Sequence, residues 1–484
     1  MTHTLRPVFD PADDLTDALD IDLNKVIAPL WAQREVSPIS RPSFARDAEK
    51  LIDQSTPSHG GESLDDLVAQ LSHAFNEYPR RNTHPGFFGW IAPSGVPTDP
   101  LAHAMLTAIN GNIGGYIMSP IGHLIERAVV GWMAELCSFP EACEGVILSG
   151  GSLANLTAMA SALAHKFGPD FRNKGLHAFC DPAPPVVLCS NAAHFSIRRA
   201  AATLGIGIDQ CVAVETDDQF RMRPDDLERA LSEHPNVACV IATAGTTNTG
   251  AIDPLNDIAD VCERHGIWLH IDAAYGGGGM MSDQLKPRFA GIERADSITM
   301  DLHKWFFQSL DGSVLLYKDA RAPRSLFYET SDYLHTAVEP KPEEYMFFHI
   351  NPELSRRFRA LPFYIALRHY GMDRLGRNAL HNVRCAEYMA AQIEQHDKLE
   401  LVSAPQLSIL TYRFVVPGLS DDEIDSLNSA IRDQIQIDGD YMMSPTQVNG
   451  RPVLRVSIVN HATRAEHIDG LLEGVLRIGK NLTE

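Results

Sequence analysis

Basic residues are scarce in this chain, long apolar runs are absent, and the cysteines follow no pairing pattern. Against 41 Lys and Arg stand 62 Asp and Glu, a formal charge of −21 over 484 residues. That balance disfavours nucleic acid or an anionic membrane surface as partner, and leaves open a small ligand held in a pocket. No segment is apolar for long enough to span a bilayer, and the opening stretch MTHTLRPVFDPADDLTDALD lacks the apolar run of a signal peptide. Cys137, Cys143, Cys180, Cys189, Cys211, Cys239, Cys262 and Cys385 form no CxxC pair, and several lie in apolar strand-like runs. Free thiols in a reducing cytoplasm are therefore expected, not a disulfide framework. Metal and nucleotide signatures are missing as well. The histidines make no HExxH, no GxxxxGK[ST] occurs, and Gly205 and Gly207 lack a third glycine at position 210.

What is present reads as a globular α/β protein of more than one packed unit. Residues 1–86 are acidic and helix-like, broken by Pro29, Pro38, Pro42 and Pro57, and are expected to form an arm packed on the body or on a second subunit. From 87 to 362, short apolar runs alternate with amphipathic stretches: GVIL (145–148), PVVLCS (185–190), VACVIATA (237–244), GIWLHIDAA (266–274), SITM (297–300) and GSVLLY (312–317). Continuous apolar strands alternating with helices predict a mostly parallel sheet covered on both faces. From 363 to 484, a helix pair (LRHYGMDRLGRNALHNVRCAEYMAAQIE) and the strands LSILTYRFVV and RPVLRVSIVN predict a smaller α+β unit. The acidic run LSDDEIDSL reads as a capped, solvated helix start.

In open α/β sheets ligands bind beyond the carboxyl ends of the strands, so the residues just after each strand matter most. GVIL leads into Ser149-Gly150-Gly151-Ser152 and a helix pattern, a turn whose N–H groups suit a phosphate. PVVLCS leads to His194, and VACVIATA to Gly245, Thr246, Thr247 and Asn248. GIWLHI ends in Asp272, followed by Ala273, Ala274, Tyr275 and glycines at 276–279. SITM is followed by Asp301, His303 and Lys304, with Trp305-Phe306-Phe307 behind. Each polar strand end taken singly is explained by a solvated loop or a satisfied core residue. One ligand explains them together. Pyridoxal phosphate requires a lysine for covalent attachment, a carboxylate for the pyridinium nitrogen and a phosphate cradle. Lys304 supplies the amine, which an apolar setting is expected to keep from protonating. Asp272 supplies the carboxylate. Ala274 and His194 would lie on the two ring faces, with Gly151, Ser152 and Thr247 anchoring phosphate or ring substituents.

As a set, SGGSLANL, NAAHFS, HIDAAYGG and DLHKW resemble the group II pyridoxal-phosphate-dependent amino acid decarboxylases, and the likeness runs from THPGFFGW (83–90) to PVLRVSIVNHAT (452–463). The motifs are most similar to those of the aromatic L-amino-acid decarboxylases. The resemblance implies fold type I, aspartate aminotransferase-like, with a central seven-stranded sheet, an N-terminal helical arm and a small C-terminal domain. It also implies a homodimer with sites completed across the interface. In motif order, His194 matches the ring-stacking residue, Asp272 the pyridinium partner and Lys304 the Schiff-base lysine. His303 is implied near the phosphate or the substrate carboxylate. Between Tyr317 and Arg356 lies a long connection of the kind that often forms a lid. Within it, Tyr333 matches the subgroup's loop tyrosine, which is implied to protonate the carbanion after CO2 leaves.

Trp90, Ile91, Ala92 and Pro93 fall where that subgroup has its substrate pocket. An apolar lining without an obvious basic residue favours an aromatic L-amino acid, converted to amine and CO2. Decarboxylation of a diaminobutyrate, acidic or histidine-type substrate stays open, as does oxidative deamination to an aldehyde. A non-catalytic binding protein would not need Lys304, Asp272 and His194 together. Two departures from the animal aromatic enzymes stand out. Asp301 replaces an asparagine, where a carboxylate beside a phosphate is awkward unless it turns away, and glycines at 86, 89, 114 and 115 replace bulkier residues.

Overall fold

The structure is a computed structural model that describes residues 32–41, 45–56, 61–329 and 346–484. Helices α1 (Leu64–Glu77), α2 (Asp99–Ile109) and α3 (Pro120–Leu136) precede the first strand, β1 (Glu144–Leu148). Then come α4 (Gly151–Phe167), β2 (Val186–Ser190), α5 (Ser196–Thr203), β3 (Cys211–Val214), α6 (Pro224–Glu233) and β4 (Val237–Thr243). After these lie α7 (Leu255–His265), β5 (Trp268–Asp272), β6 (Ser297–Asp301) and β7 (Ser313–Tyr317). These seven strands form one sheet in the order β1-β7-β6-β5-β4-β2-β3. The neighbours from β6 to β3 are all parallel, and β7 runs antiparallel to both β6 and β1. The carboxyl ends of β1, β2, β4, β5 and β6 therefore share one edge. Every residue of β2, β4, β5, β6 and β7 is buried, as expected of strands covered on both faces.

The chain continues through α8 (Ala360–Tyr370) and α9 (Met372–Glu394), split at Gly371, whose φ of 77° breaks the helix. A second sheet, order β10-β11-β9-β8, is built from β8 (Leu399–Ser403), β9 (Ile409–Phe414), β10 (Ser444–Val448) and β11 (Arg451–Ser457), all antiparallel. Helices α10 (Asp421–Asp438) and α11 (Ala465–Thr483) cover it. The acidic run does start α10, with Ser420 and Glu423 in a reciprocal cap.

Three strands escaped the sequence pattern, for physical reasons. The edge strand β3 is only four residues long and mostly half-buried, while β8 and β10 each expose a residue at their second position. Ahead of α1, Ile39 is buried against Phe87 and Met442, and its N–H donates to the Gly439 carbonyl at 2.7 Å.

Helix α9 lies against the glycine turn 276–281, and a Cβ at Gly376 would run into the Met281 carbonyl, whereas one at Gly131 on α3 meets nothing within 4 Å. Alanine gains about 1 kcal/mol over glycine in a helix, but overpacking against backbone costs about 1–3 kcal/mol. Gly376→Ala should therefore lower the thermal midpoint and Gly131→Ala raise it or leave it level, as read by calorimetry.

Candidate active site

The strand ends meet in one crevice. Its walls include Gly151, Ser152, His194, Thr247, Asp272, Ala274 and Lys304, so seven of the residues picked from the sequence line the same cavity. Helix α4 opens at Gly151 with no capping side chain, leaving first-turn N–H groups directed at the crevice. Lys304 comes after β6 on a turn closed by the Asp301 carbonyl, which accepts from the Lys304 N–H at 3.2 Å. Trp305, Phe306 and Phe307 are fully buried and anchor that turn, while the Lys304 side chain stays 22 % exposed toward the crevice. The Trp305 indole stacks on Tyr275 and donates to Asn382 of α9 at 3.0 Å. Close packing also explains the glycine run. A Cβ at Gly276 would strike the Ala244 carbonyl, one at Gly277 the Met300 side chain, and one at Gly278 the Trp305 backbone.

A hydrogen-bonded chain behind the cavity fixes Asp272. Asn155, one turn into α4, donates through Nδ2 to Asp272 Oδ2 at 2.8 Å and to Ser196 Oγ at 3.1 Å. Its Oδ1 lies 3.1 Å from His270 Nε2, so that nitrogen carries the ring proton. His270 Nδ1 then accepts from the Ser297 hydroxyl at 2.8 Å, and the Trp268 indole donates to Ser297 Oγ at 3.0 Å. Burial lowers the His270 imidazole to about 4, which keeps it in this neutral tautomer. Asp272 Oδ1 accepts from the Ala274 N–H at 3.0 Å. The same Asn155 reaches His194: Ser196 receives from Asn155, and its hydroxyl is 2.9 Å from His194 Nδ1. Burial likewise lowers His194, with Asp272 acting in the opposite direction.

Lys304 departs from expectation. Its Nζ lies 2.9 Å from Asp301 Oδ2, and although burial alone lowers the amine, Asp301 and Asp272 outweigh it and hold it above the usual lysine range. The apolar setting read from Trp305 and Phe306 is real, but a neighbouring carboxylate decides the protonation state. Asp301 is 2 % exposed and is not among the residues that line the cavity. His303 stands behind the cavity wall, its Nδ1 2.9 Å from the Gly312 carbonyl and its Nε2 3.7 Å from Asp301. Trp90, Ile91 and Pro93 are not among the cavity's lining residues. Ile91 packs against the main core, and Trp90 is 49 % exposed. Tyr333 and the centre of the expected lid lie outside the described residues.

Beside the expected substrate segment stands a basic residue that the sequence reading did not single out, Arg455 of β11. It is 2 % exposed and donates from Nε to the Thr247 carbonyl at 2.9 Å and from Nη1 to the Trp90 carbonyl at 3.1 Å. Its Nη2 has no hydrogen-bond partner, and burial lowers the guanidinium to about 10. Asn155, His270 and Arg455 were the functional residues missed from sequence. Signals existed for two of them. Asn155 interrupts a helix of small apolar residues, and His270 shares the strand face of Asp272 at a spacing of two.

The match to known proteins agrees with this geometry. Residues 46–415 match the pyridoxal-dependent decarboxylase conserved domain. The chain belongs to that family. It is 30% identical to an aromatic-L-amino-acid decarboxylase of Bacillus atrophaeus over 436 residues, covering 89% of this chain and 88% of that one. It is 29% identical to an acidic amino acid decarboxylase of Homo sapiens, covering 90% and 84%. The crystal structure of mouse CSAD superposes with a TM-score of 0.88 at 26% identity, covering 97% of this chain and 99% of that one. The fold is thus type I, and the protein is a pyridoxal-phosphate-dependent amino acid decarboxylase. The crevice suits that cofactor: an uncapped helix N-terminus for a phosphate, a lysine amine and a buried carboxylate wired from behind. No group of His, Cys, Asp and Glu among the described residues is arranged to hold a metal ion. Nor does any described helix have the length and apolarity to cross a membrane.

Asn155→Ala would strip Asp272, Ser196 and His270 of a partner at once. Each buried polar group left unpaired costs about 1–3 kcal/mol, so cofactor affinity should fall roughly tenfold to a hundredfold. Fluorescence titration of the cofactor-free variant reads this, and an unchanged Kd would refute the supporting role of Asn155.

Proposed function

We propose that this enzyme removes the α-carboxylate of an L-amino acid with an aromatic side chain, releasing the amine and CO2. The observation that carries the reading is the cluster of Lys304, Asp272 and the Asn155 network at one strand edge. Bound pyridoxal phosphate supplies an electron-withdrawing ring that takes up the charge left at the substrate's Cα when CO2 departs. Lys304 is the attachment lysine. Asp272, backed by Asn155, keeps a proton on the ring nitrogen, and His194 and Ala274 bound the ring's two faces. Gly151, Ser152 and Thr247, with the first-turn N–H groups of α4, hold the phosphate, and His303 stands behind them. Tyr333 delivers a proton to Cα. Trp90, Ile91 and Pro93 receive the substrate side chain, with the Phe87 and Trp90 rings 5.7 Å apart as the aromatic element of that wall.

A second reading is favoured by Arg455. An unpaired guanidinium N–H buried beside Thr247 and Trp90 suits an acidic side chain, the substrate class named for the human relative.

We also propose that the enzyme works as a homodimer of chains divided into an arm (1–86), a large unit (87–362) and a small unit (363–484). Leu101, Met105 and Ile109 recur along one face of α2 and stay 61 %, 42 % and 52 % exposed, an apolar stripe fit for a second copy. Phe87 and Phe88, at the start of the large unit, pack toward the small one. Free thiols at all eight cysteines support a cytoplasmic setting.

The deciding experiment incubates holoenzyme separately with aromatic, acidic, basic and imidazole L-amino acids and quantifies CO2, amine, aldehyde and ammonia. Amine equal to CO2 with an aromatic substrate preferred is expected. Preference for an acidic substrate would establish the second reading, and Arg455→Gln should then raise KM for it by roughly tenfold to a hundredfold, the loss of a charge-assisted hydrogen bond. Tyr333→Phe should shift product from amine toward aldehyde and ammonia. An unchanged product ratio would remove Tyr333 from the proton-delivery role.

A further inference from the structure

Asp301 is neither a cofactor-holding nor a substrate-holding residue in the proposed reaction, yet it stands at the centre of the crevice's electrostatics. Its Oδ2 is 2.9 Å from Lys304 Nζ and 3.7 Å from His303 Nε2, and its Oδ1 is buried without a hydrogen-bond partner. Both oxygens press on the start of α4, each 2.9 Å from where a Cβ on Gly151 would stand. A carboxylate in such a place is held by packing on one side and a cation on the other, because burying it alone is costly.

The geometry points to Asp301 as a positioning residue that takes the Lys304 ammonium whenever that amine is not covalently engaged, and so keeps the cation off the substrate's carboxylate. The inference rests on Lys304 being the cofactor lysine. A free ammonium in this crevice would otherwise pair with the carboxylate of the bound amino acid. Departure of CO2 removes the negative charge from that group, so such pairing stabilises the ground state more than the transition state and slows the reaction. Asp301 prevents it at short range, since the two residues share one turn and the side chain needs no large excursion.

The groups facing Lys304 come from four places: Asp301 at the end of β6, Asp272 of β5, His194 beyond β2 and Arg455 of β11, while His303 on the same turn faces Asp301. Asp272 is occupied by Asn155 and Ala274, and burial lowers His194. Arg455 repels the ammonium. Burial alone would raise Asp301, but Lys304, His303 and the Ser313 hydroxyl together outweigh it and hold the carboxyl below the usual carboxylate range.

Asp301→Asn keeps the shape and removes the charge. In cofactor-free protein, acetylation of Lys304 by acetic anhydride can be followed across pH by peptide mass spectrometry. The midpoint should move to lower pH in the variant, with faster labelling at a mildly alkaline pH of about 8, below the ordinary lysine range, and an unmoved midpoint overturns the proposal. In holoenzyme, kcat and KM should fall together as the released ammonium tightens the ground state. A lower kcat with KM unchanged or raised marks general damage and also overturns it. Should Asp301→Asn fail to fold, thermal melting of Lys304→Met and of the Asp301→Asn/Lys304→Met double variant decides. The double variant should melt higher because it no longer buries an uncompensated carboxylate, and equal midpoints sink the proposal. Borohydride reduction of holoenzyme with peptide mapping separates the two levels. A pyridoxyl label on another lysine refutes the assignment of Lys304 itself, whereas a label on Lys304 with an unmoved midpoint refutes only the role of Asp301.

Discussion

Charge buried in a protein must be compensated where it lies, and this crevice buries Asp272, Asp301 and Arg455 around a partly exposed Lys304. Each solution is local and geometric. Asp272 accepts from an amide and a backbone N–H; Asp301 takes the ammonium; Arg455 spends two of its donors on backbone carbonyls. Because the compensating groups come from α4, β5, β6 and β11, their mutual distances are set by the sheets and helices that carry them. The glycines at 151, 276 and 278 arise from the same demand, since each lets a helix or turn approach a polar group or backbone too closely for a Cβ. Pre-organisation of this kind is what a site needs when its chemistry depends on orientation and charge.

The site was legible in the sequence to the extent that topology made it so. Parallel strands bring their carboxyl ends to one edge, so the residues immediately after GVIL, PVVLCS, VACVIATA, GIWLHI and SITM make up the rim of the cavity, and seven chosen residues line it. The buried strands announced themselves by continuous apolar runs. The half-buried β3, β8 and β10 did not, because a partly exposed strand loses that signature.

Side chains that act through other side chains were less visible. His270 and Asn155 look like ordinary buried polar residues until the distances of 3.1 Å and 2.8 Å join them to Asp272. Lys304 shows the complementary error. Its apolar neighbours in sequence, Trp305 to Phe307, point into the core, and the group that sets its charge is the aspartate three positions earlier. Arg455 lies far from Lys304 along the chain, and only the packing of the second sheet on the first brings it to Thr247 and Trp90.

The proposed chemistry and the proposed specificity therefore rest on different parts of the molecule. The residues that would serve any amino acid stand on the main sheet's edge, where backbone register fixes them within the cofactor's span. The segment around Trp90 is held by the second sheet, through Ser444 (2.6 Å from the Trp90 N–H) and Arg455, and in the proposed reaction it receives the substrate's side chain. On that proposal, a substitution in β10 or β11 would reach substrate preference through Trp90 without touching the residues at the strand edge. The relatives named for aromatic and for acidic amino acids are similar to this chain to nearly the same degree, at 30% and 29% identity. The position of that short segment is thus imposed from a second core, whereas the strand edge is set by the main sheet.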